Sequence, residues 1–394
     1  MKNNFVHARG HLALSLTHRL THLFVRKIFM IRLTLASLLI IATTVSAQIN
    51  PLVLPTSGAL SKQAMSRLLL TDIVRINKRL VAVGDRGYIV YSDDNAKAWS
   101  RANTPANMPL PLLNAIYASD ANTLWAVGHD SHILKSIDQG ANWLSAYMSS
   151  KDMRPLMDIV FIDANTGFAV GAYGAFYETS DAGKIWALRK VIPANVPLAR
   201  SPSKAAASAS DKLGSRANNA VADEVADEER GLDEDKHLNA IIKLSDSRLL
   251  IVGEAGMILL SEDNGKTWSR IVSPYQGSFF GAVMADTGAV VIFGLRGNAY
   301  FAADNTLSNL SPIATNTKSS LMGATRLPNG HIIITGLSGT VLQSTDNGKT
   351  FGSVNSDTIA PLAAVIAGTE NALLIVGESG AREVLLTGKP VVRQ

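Results

Sequence analysis

Short apolar runs and polar clusters alternate along most of this chain. Residues 113–147 show the pattern. Leu113 to Tyr117 is apolar and branched, and Asp120-Ala121-Asn122 reads as a turn. Leu124 to Val127 is a continuous apolar run, followed by a turn from Gly128 to Ser131. His132 to Lys135 comes next, then the turn Asp138-Gln139-Gly140, then Trp143 to Tyr147. Runs of this length, bounded by Gly, Asn and Asp, are strands. No stretch of comparable length carries the helical period. The pattern predicts four short strands in one unit.

The unit repeats. An apolar run, then Gly, two variable residues and usually Gly, places its first glycine at Gly84, Gly128, Gly171, Gly253, Gly294, Gly336 and Gly377. The steps are 41 to 44 residues, except one of 82 between Gly171 and Gly253. Seven four-stranded units of about 40 residues predict an all-β fold, a seven-bladed β-propeller.

A second phrase follows the first: Ser/Thr-x-Asp-x-Gly-x-x-aromatic. It places Asp138 with Trp143, Asp181 with Trp186, Asp263 with Trp268, and Asp346 with Phe351. A looser copy pairs Asp94 with Trp99 and has Ala96 in place of Gly. The aspartates are read as structural, because Asp accepts backbone N–H bonds within tight turns and Gly supplies a left-handed position. Each Trp opens a fourth strand. The loops lack the ligand order of a Ca²⁺ site, and no metal or cofactor is expected. In the fifth unit Ala302, Asp304 and Asn309 stand in for Ser, Asp and Trp, so a looser turn is expected there. The seventh unit has no such phrase and reads as three strands. Residues 51–55 (Pro51-Leu52-Val53-Leu54-Pro55) form an orphan apolar run and are expected to complete the seventh blade, since propellers close to avoid an open edge.

Residues 33–47 carry no charge, follow Arg32 and end in Val45-Ser46-Ala47. They read as a secretory signal covering 1–47, with Met30 an alternative start. The apolar run is shorter than the roughly 20 residues of a comfortable span, so no anchor is expected after cleavage. The propeller then occupies 48–394. The formal charge of +5 belongs to the leader, which holds six of the 37 basic residues and no acid. The remainder carries 31 basic against 32 acidic residues, net −1. That gives no global field for nucleic acid. There is no Cys, hence no disulfide and no lipid attached through Cys. A ring of this size buries enough core without staples. A monomer in the periplasm or an equivalent lumen is expected. The doubled step holds an insertion at about 194–236, first Ser/Ala-rich, then acidic, between blades three and four; its composition is that of a flexible linker.

In a four-stranded meander the second turn lies at the same end as the link to the next blade. The Gly-x-x-Gly turns and the links therefore share one face, and the Asp turns occupy the other. The variable turn residues differ from blade to blade, as a binding surface requires, and rigid scaffolds carry function on loops. The candidate partner-binding face comprises Arg86, His129, Tyr173, Glu254, Arg296 and Glu378, with Tyr275 and Phe279 from the link between blades four and five.

No nucleophile elbow, Walker loop, dinucleotide glycine pattern or His-Glu-x-x-His occurs. His129-x-x-His132 lacks the neighbours of a metal site. No catalytic residue is assigned. The Asp phrase resembles the bacterial neuraminidase repeat, or Asp box. Sialidases that carry it have a Phe/Tyr-Arg-Ile-Pro tetrapeptide, which this chain lacks. The chain more closely resembles the photosystem II stability/assembly factor propellers and their bacterial relatives. The Ala-Val-Gly-x-x-Gly turns, His237-Leu238-Asn239-Ala240-Ile241, Ser273-Pro274-Tyr275 and Gly294-Leu295-Arg296-Gly297-Asn298 carry that resemblance, over about residues 50–390. It implies a non-catalytic exported protein that binds a membrane-protein partner during assembly. An Asp-box glycoside hydrolase of sialidase type is the alternative, and a glycan-binding module a third reading.

Overall fold

The computed structural model describes residues 58–105, 111–191, 235–369 and 371–386. The leader (1–47), residues 51–55 and nearly all of the insertion lie outside them. The inner strands are Leu70–Ile76, Leu113–Ala118, Leu156–Phe161, Leu238–Lys243, Phe279–Met284, Leu321–Arg326 and Leu362–Ala367. Each opens an antiparallel sheet whose strands follow in chain order. Each inner strand packs against those of the blades on either side, and the seventh against the first. The molecule is a closed seven-bladed β-propeller. Second strands such as Leu124–Gly128 and Leu249–Gly253 are buried throughout, because both sheet faces meet neighbouring blades. This is why they read as unbroken apolar runs.

Blades two to six have four strands. The seventh has three described strands, ending with Gly380–Leu385. The described strand nearest the N-terminus, Gly58–Leu60, is antiparallel to Trp99–Arg101 and makes a fifth strand on the outer edge of blade one. The expectation that residues 51–55 complete blade seven falls on residues outside those described. The ring is closed at the seventh blade's turn, where Gly380 N donates to Leu68 O at 2.8 Å.

The Ser-x-Asp turns are alike in five blades. In the second, Ser136 Oγ donates to Asp138 Oδ1 at 2.8 Å, Gly140 N donates to Ser136 Oγ at 2.9 Å, and Asn142 N donates to Asp138 Oδ1 at 2.9 Å. The same three bonds recur from Ser92, Thr179, Ser261 and Ser344. These bonds hold the carboxyls of Asp94, Asp138, Asp181, Asp263 and Asp346 below the usual range. Backbone N–H donors lead at Asp94 and Asp181; at the other three partial burial works in the opposite direction and is outweighed by the hydrogen bonds. Trp99, Trp143, Trp186 and Trp268 are buried. At Gly183 an added Cβ would lie 2.1 Å from the Trp125 ring of the preceding blade, so the turn also sets the blade spacing.

The fifth blade departs in another way than expected. Asp304 accepts from Thr306 N at 2.9 Å, two residues on rather than four, and Leu307 takes a φ of 56° and is buried. The turn is shorter, with an apolar plug, rather than loose.

Candidate functional site

The seven Gly-x-x-Gly turns share one frame. The residue after the first glycine donates its N–H to the carbonyl just before its own inner strand: Asp85 to Leu69, His129 to Leu112, Ala172 to Pro155, Glu254 to His237, Leu295 to Ser278, Leu337 to Ser320 and Glu378 to Pro361, at 2.8–3.2 Å. That approach excludes any Cβ at the first glycine; one added at Gly84 would lie 2.0 Å from Leu69 O. In five of the turns the fourth residue donates to the link entering the next blade: Ser131 to Arg154, Gly174 to Lys236, Gly256 to Gly277, Gly339 to Ala360 and Gly380 to Leu68. Turns and links therefore share one face, here the link face.

The third position of the turn is the displayed one. Arg86, Asp130, Tyr173, Ala255, Arg296 and Ser338 occupy it in blades one to six with φ of 52–57°. The left-handed region costs a non-glycine residue about 1 kcal/mol, so the frame imposes it. All but Ala255 are exposed there. One backbone thus presents Arg, Asp, Tyr, Ala, Arg and Ser in succession.

The structure puts Arg86, Tyr173, Arg296 and Glu378 on this face as exposed residues, and His129, Glu254 and Tyr275 as half-buried ones. Phe279 is a correction. It is fully buried and packs edge-on against Tyr275 and Tyr300, so it belongs to the core and offers a partner nothing. Its place at the head of an inner strand, where other blades have Leu, is the reason. Burial holds the His129 imidazole below its usual value, only partly offset by Asp130. No group of three or more His, Cys, Asp or Glu suited to a metal ion occurs among the described residues.

The repeat pattern did not reveal a network on the link between blades two and three. Arg154 donates to both carboxylate oxygens of Asp152, at 2.6 and 2.5 Å, and Nη1 donates to Tyr173 O at 3.0 Å. Tyr177 OH donates to Asp152 Oδ2 at 2.6 Å. The Arg154 bonds lead in holding the Asp152 carboxyl below the usual range. Burial, then Asp152, pushes the Tyr177 hydroxyl well up. Tyr173 meets the His237 ring edge-on at 5.1 Å, and His237 N donates to Glu254 Oε2 at 3.3 Å. The face from blade two to blade four is thus a braced array with both charges and an exposed aromatic. Links vary in length and composition, so no period marks Asp152 or Arg154 in the sequence.

The comparisons with known proteins agree with this architecture. The Photosystem II assembly lipoprotein Ycf48 of Picosynechococcus sp. is 34% identical over 101 residues, 24% of this chain and 29% of the relative. The chain is similar to the photosystem II assembly factor propellers. The match spans less than a third of that curated relative's length. A solved structure described as YCF48 bound to D1 peptide has a TM-score of 0.59 at 16% identity, covering 85% of this chain and 98% of its own. YCF48 from Cyanidioschyzon merolae gives 0.60 at 15% identity, covering 80% and 95%. A streptogramin B lyase structure gives 0.61 at 12% identity, covering 83% and 95%. At such identities these structures establish the fold, which hosts binding and catalysis alike. No family model matches the chain. No helix among the described residues is long and apolar enough to cross a membrane.

Proposed function

We propose that this chain is an exported, non-catalytic propeller that binds a membrane-protein partner through its link face and assists the assembly or stability of a membrane complex. One observation carries the reading. A single rigid turn frame displays a different side chain in nearly every blade on the link face, while the opposite face repeats the same Ser-x-Asp turn. The resemblance to an assembly lipoprotein, and to a relative solved with a D1 peptide, supports the class of partner. None of the 394 residues is Cys, so attachment of lipid through Cys is not part of this proposal. The signal segment, a periplasmic or lumenal location and a monomeric state belong to the same reading.

Crosslinking in intact envelopes tests it. Recovery of a membrane protein is expected, and Arg86→Glu combined with Arg296→Glu should cut that recovery several-fold. Unchanged recovery would remove the link face from the proposal. Robust turnover of a sialoside by the purified protein would replace binding with glycoside hydrolysis.

A further inference from the structure

The sixth residue of each inner strand lies at the far end of the ring, on the face of the Ser-x-Asp turns. In blade order these residues are Arg75, Ala118, Phe161, Lys243, Met284, Arg326 and Ala367. Three are cations and none is an acid. Lys243 is paired with Asp246 at 3.4 Å, and Arg326 is ion-paired with Asp286. Arg75 has no carboxylate partner among the described residues. Its Nη1 donates to Asn95 Oδ1 and its Nη2 to Ala367 O, both at 3.1 Å. Burial pulls its pKa below the usual arginine value. A guanidinium has five N–H donors, so most of this one's are uncommitted.

Blade seven stands between the blades that carry these two arginines, and its sixth residue is only Ala367. The space left open is a cleft of about 360 Å³ reached by both Arg75 and Arg326. That volume is at the small end of ligand sites. Its walls combine these charges with the apolar side chains of Leu327, Pro328 and Ile366. Two guanidinium groups and the Asp286 carboxylate sum to one positive charge. A single carboxylate balances that charge, whereas a phosphate dianion overshoots it. Arginine's planar fork also matches carboxylate geometry.

We propose that this cleft binds one carboxylate carried on a short apolar body, on the face opposite the partner surface. A free organic acid and a glutamate side chain of another protein share that chemistry. Neither source depends on the link-face reading.

Benzoate titrated into the full chain, followed by ligand-observed NMR, tests the proposal. Saturable binding in the millimolar range or tighter is expected, with benzyl alcohol at least tenfold weaker. Ala367→Leu fills the space while leaving the Arg75 bond to the backbone carbonyl available, and should weaken benzoate tenfold or more. Arg75→Gln should do the same, with thermal melts confirming that both variants fold. Acetyl-Leu-Glu-amide competing better than benzoate would assign the site to a protein side chain; the reverse order would assign it to a free acid. Linear, unsaturable uptake, equal binding of benzyl alcohol, tighter binding of inorganic phosphate, or an unchanged Ala367→Leu variant would each overturn the proposal.

Discussion

Trp143 and Trp186 occupy equivalent places in neighbouring blades, but their indole N–H groups fare differently. Trp143 Nε1 donates to Gly140 O at 2.9 Å, whereas the buried Trp186 Nε1 meets no acceptor among the described residues. An unmet buried donor costs about 1–3 kcal/mol. Trp186→Phe deletes that donor and should therefore destabilise less than Trp143→Phe, by about 1 kcal/mol or more in urea unfolding. Asp72 sets a second prediction. It accepts from Ile73 N at 2.8 Å and from Ile116 N of the next blade at 2.9 Å. Burial nonetheless pushes its pKa up to about 7. The folded chain then holds a proton that the unfolded chain releases near pH 3.8. Stability from this group is complete below about pH 4 and is lost as pH rises through about 7. The aspartates of the Ser-x-Asp turns act oppositely, losing their contribution as pH falls below the ordinary carboxylate range. Denaturation measured from pH 4 to 8 should show a declining limb that Asp72→Asn flattens.

The turn is the element that the sequence described best. Ser, Asp and Gly at fixed offsets are the atoms that make its three bonds, so spacing alone revealed the geometry. Asp138→Ala removes an acceptor that serves Ser136 Oγ and the backbone and side-chain nitrogens of Asn142. It should cost about 1–3 kcal/mol in chemical denaturation. Asp304→Ala, in the shorter turn plugged by Leu307, should cost less. The displayed positions of the link face were legible for a related reason: glycines required by close backbone approach mark where each variable residue must stand. Phe279 does not read as core in the sequence, because an aromatic beside a turn looks like surface until it is aligned with Leu70, Leu113 and Leu156 as a strand's first buried residue. The Asp152–Arg154 pair could not be read, since it depends on how a link without a period crosses the face.

At the scale of the ring, the seams are unequal. Thr71 Oγ1, Asn114 Nδ2 and Asn239 Nδ2 each donate to the first carbonyl of the next inner strand, at 2.6–2.7 Å. Asp72 and Asp158 each accept a backbone N–H from the following blade. These stitches join blades one to five. Blades six and seven instead approach so closely that a Cβ at Gly323 would lie 2.4 Å from Ala363 O. Closure of blade seven onto blade one relies on the Gly380 turn and on Arg75. Blade number was legible from the glycine period, but the Gly380 bond to Leu68 was not, because residues 65–68 carry no blade signature. Gly380 has a φ of 74°, and a Cβ there would lie 2.1 Å from Met65 O. Gly380→Ala should lower the melting temperature and speed amide exchange first in blades one and seven, before the stitched blades respond.

The bond from Gly174 to Lys236 has a further consequence. The chain leaves blade three at Val191, itself buried, and is caught again at Lys236 by the preceding blade's turn. Both banks of the insertion are thus moored by the propeller itself. The order in which blades are translated and the order in which they stand in the circle are then separable. A circular permutant that begins at Asp235 and finishes near Val191 would present the same seven sheets to the same neighbours.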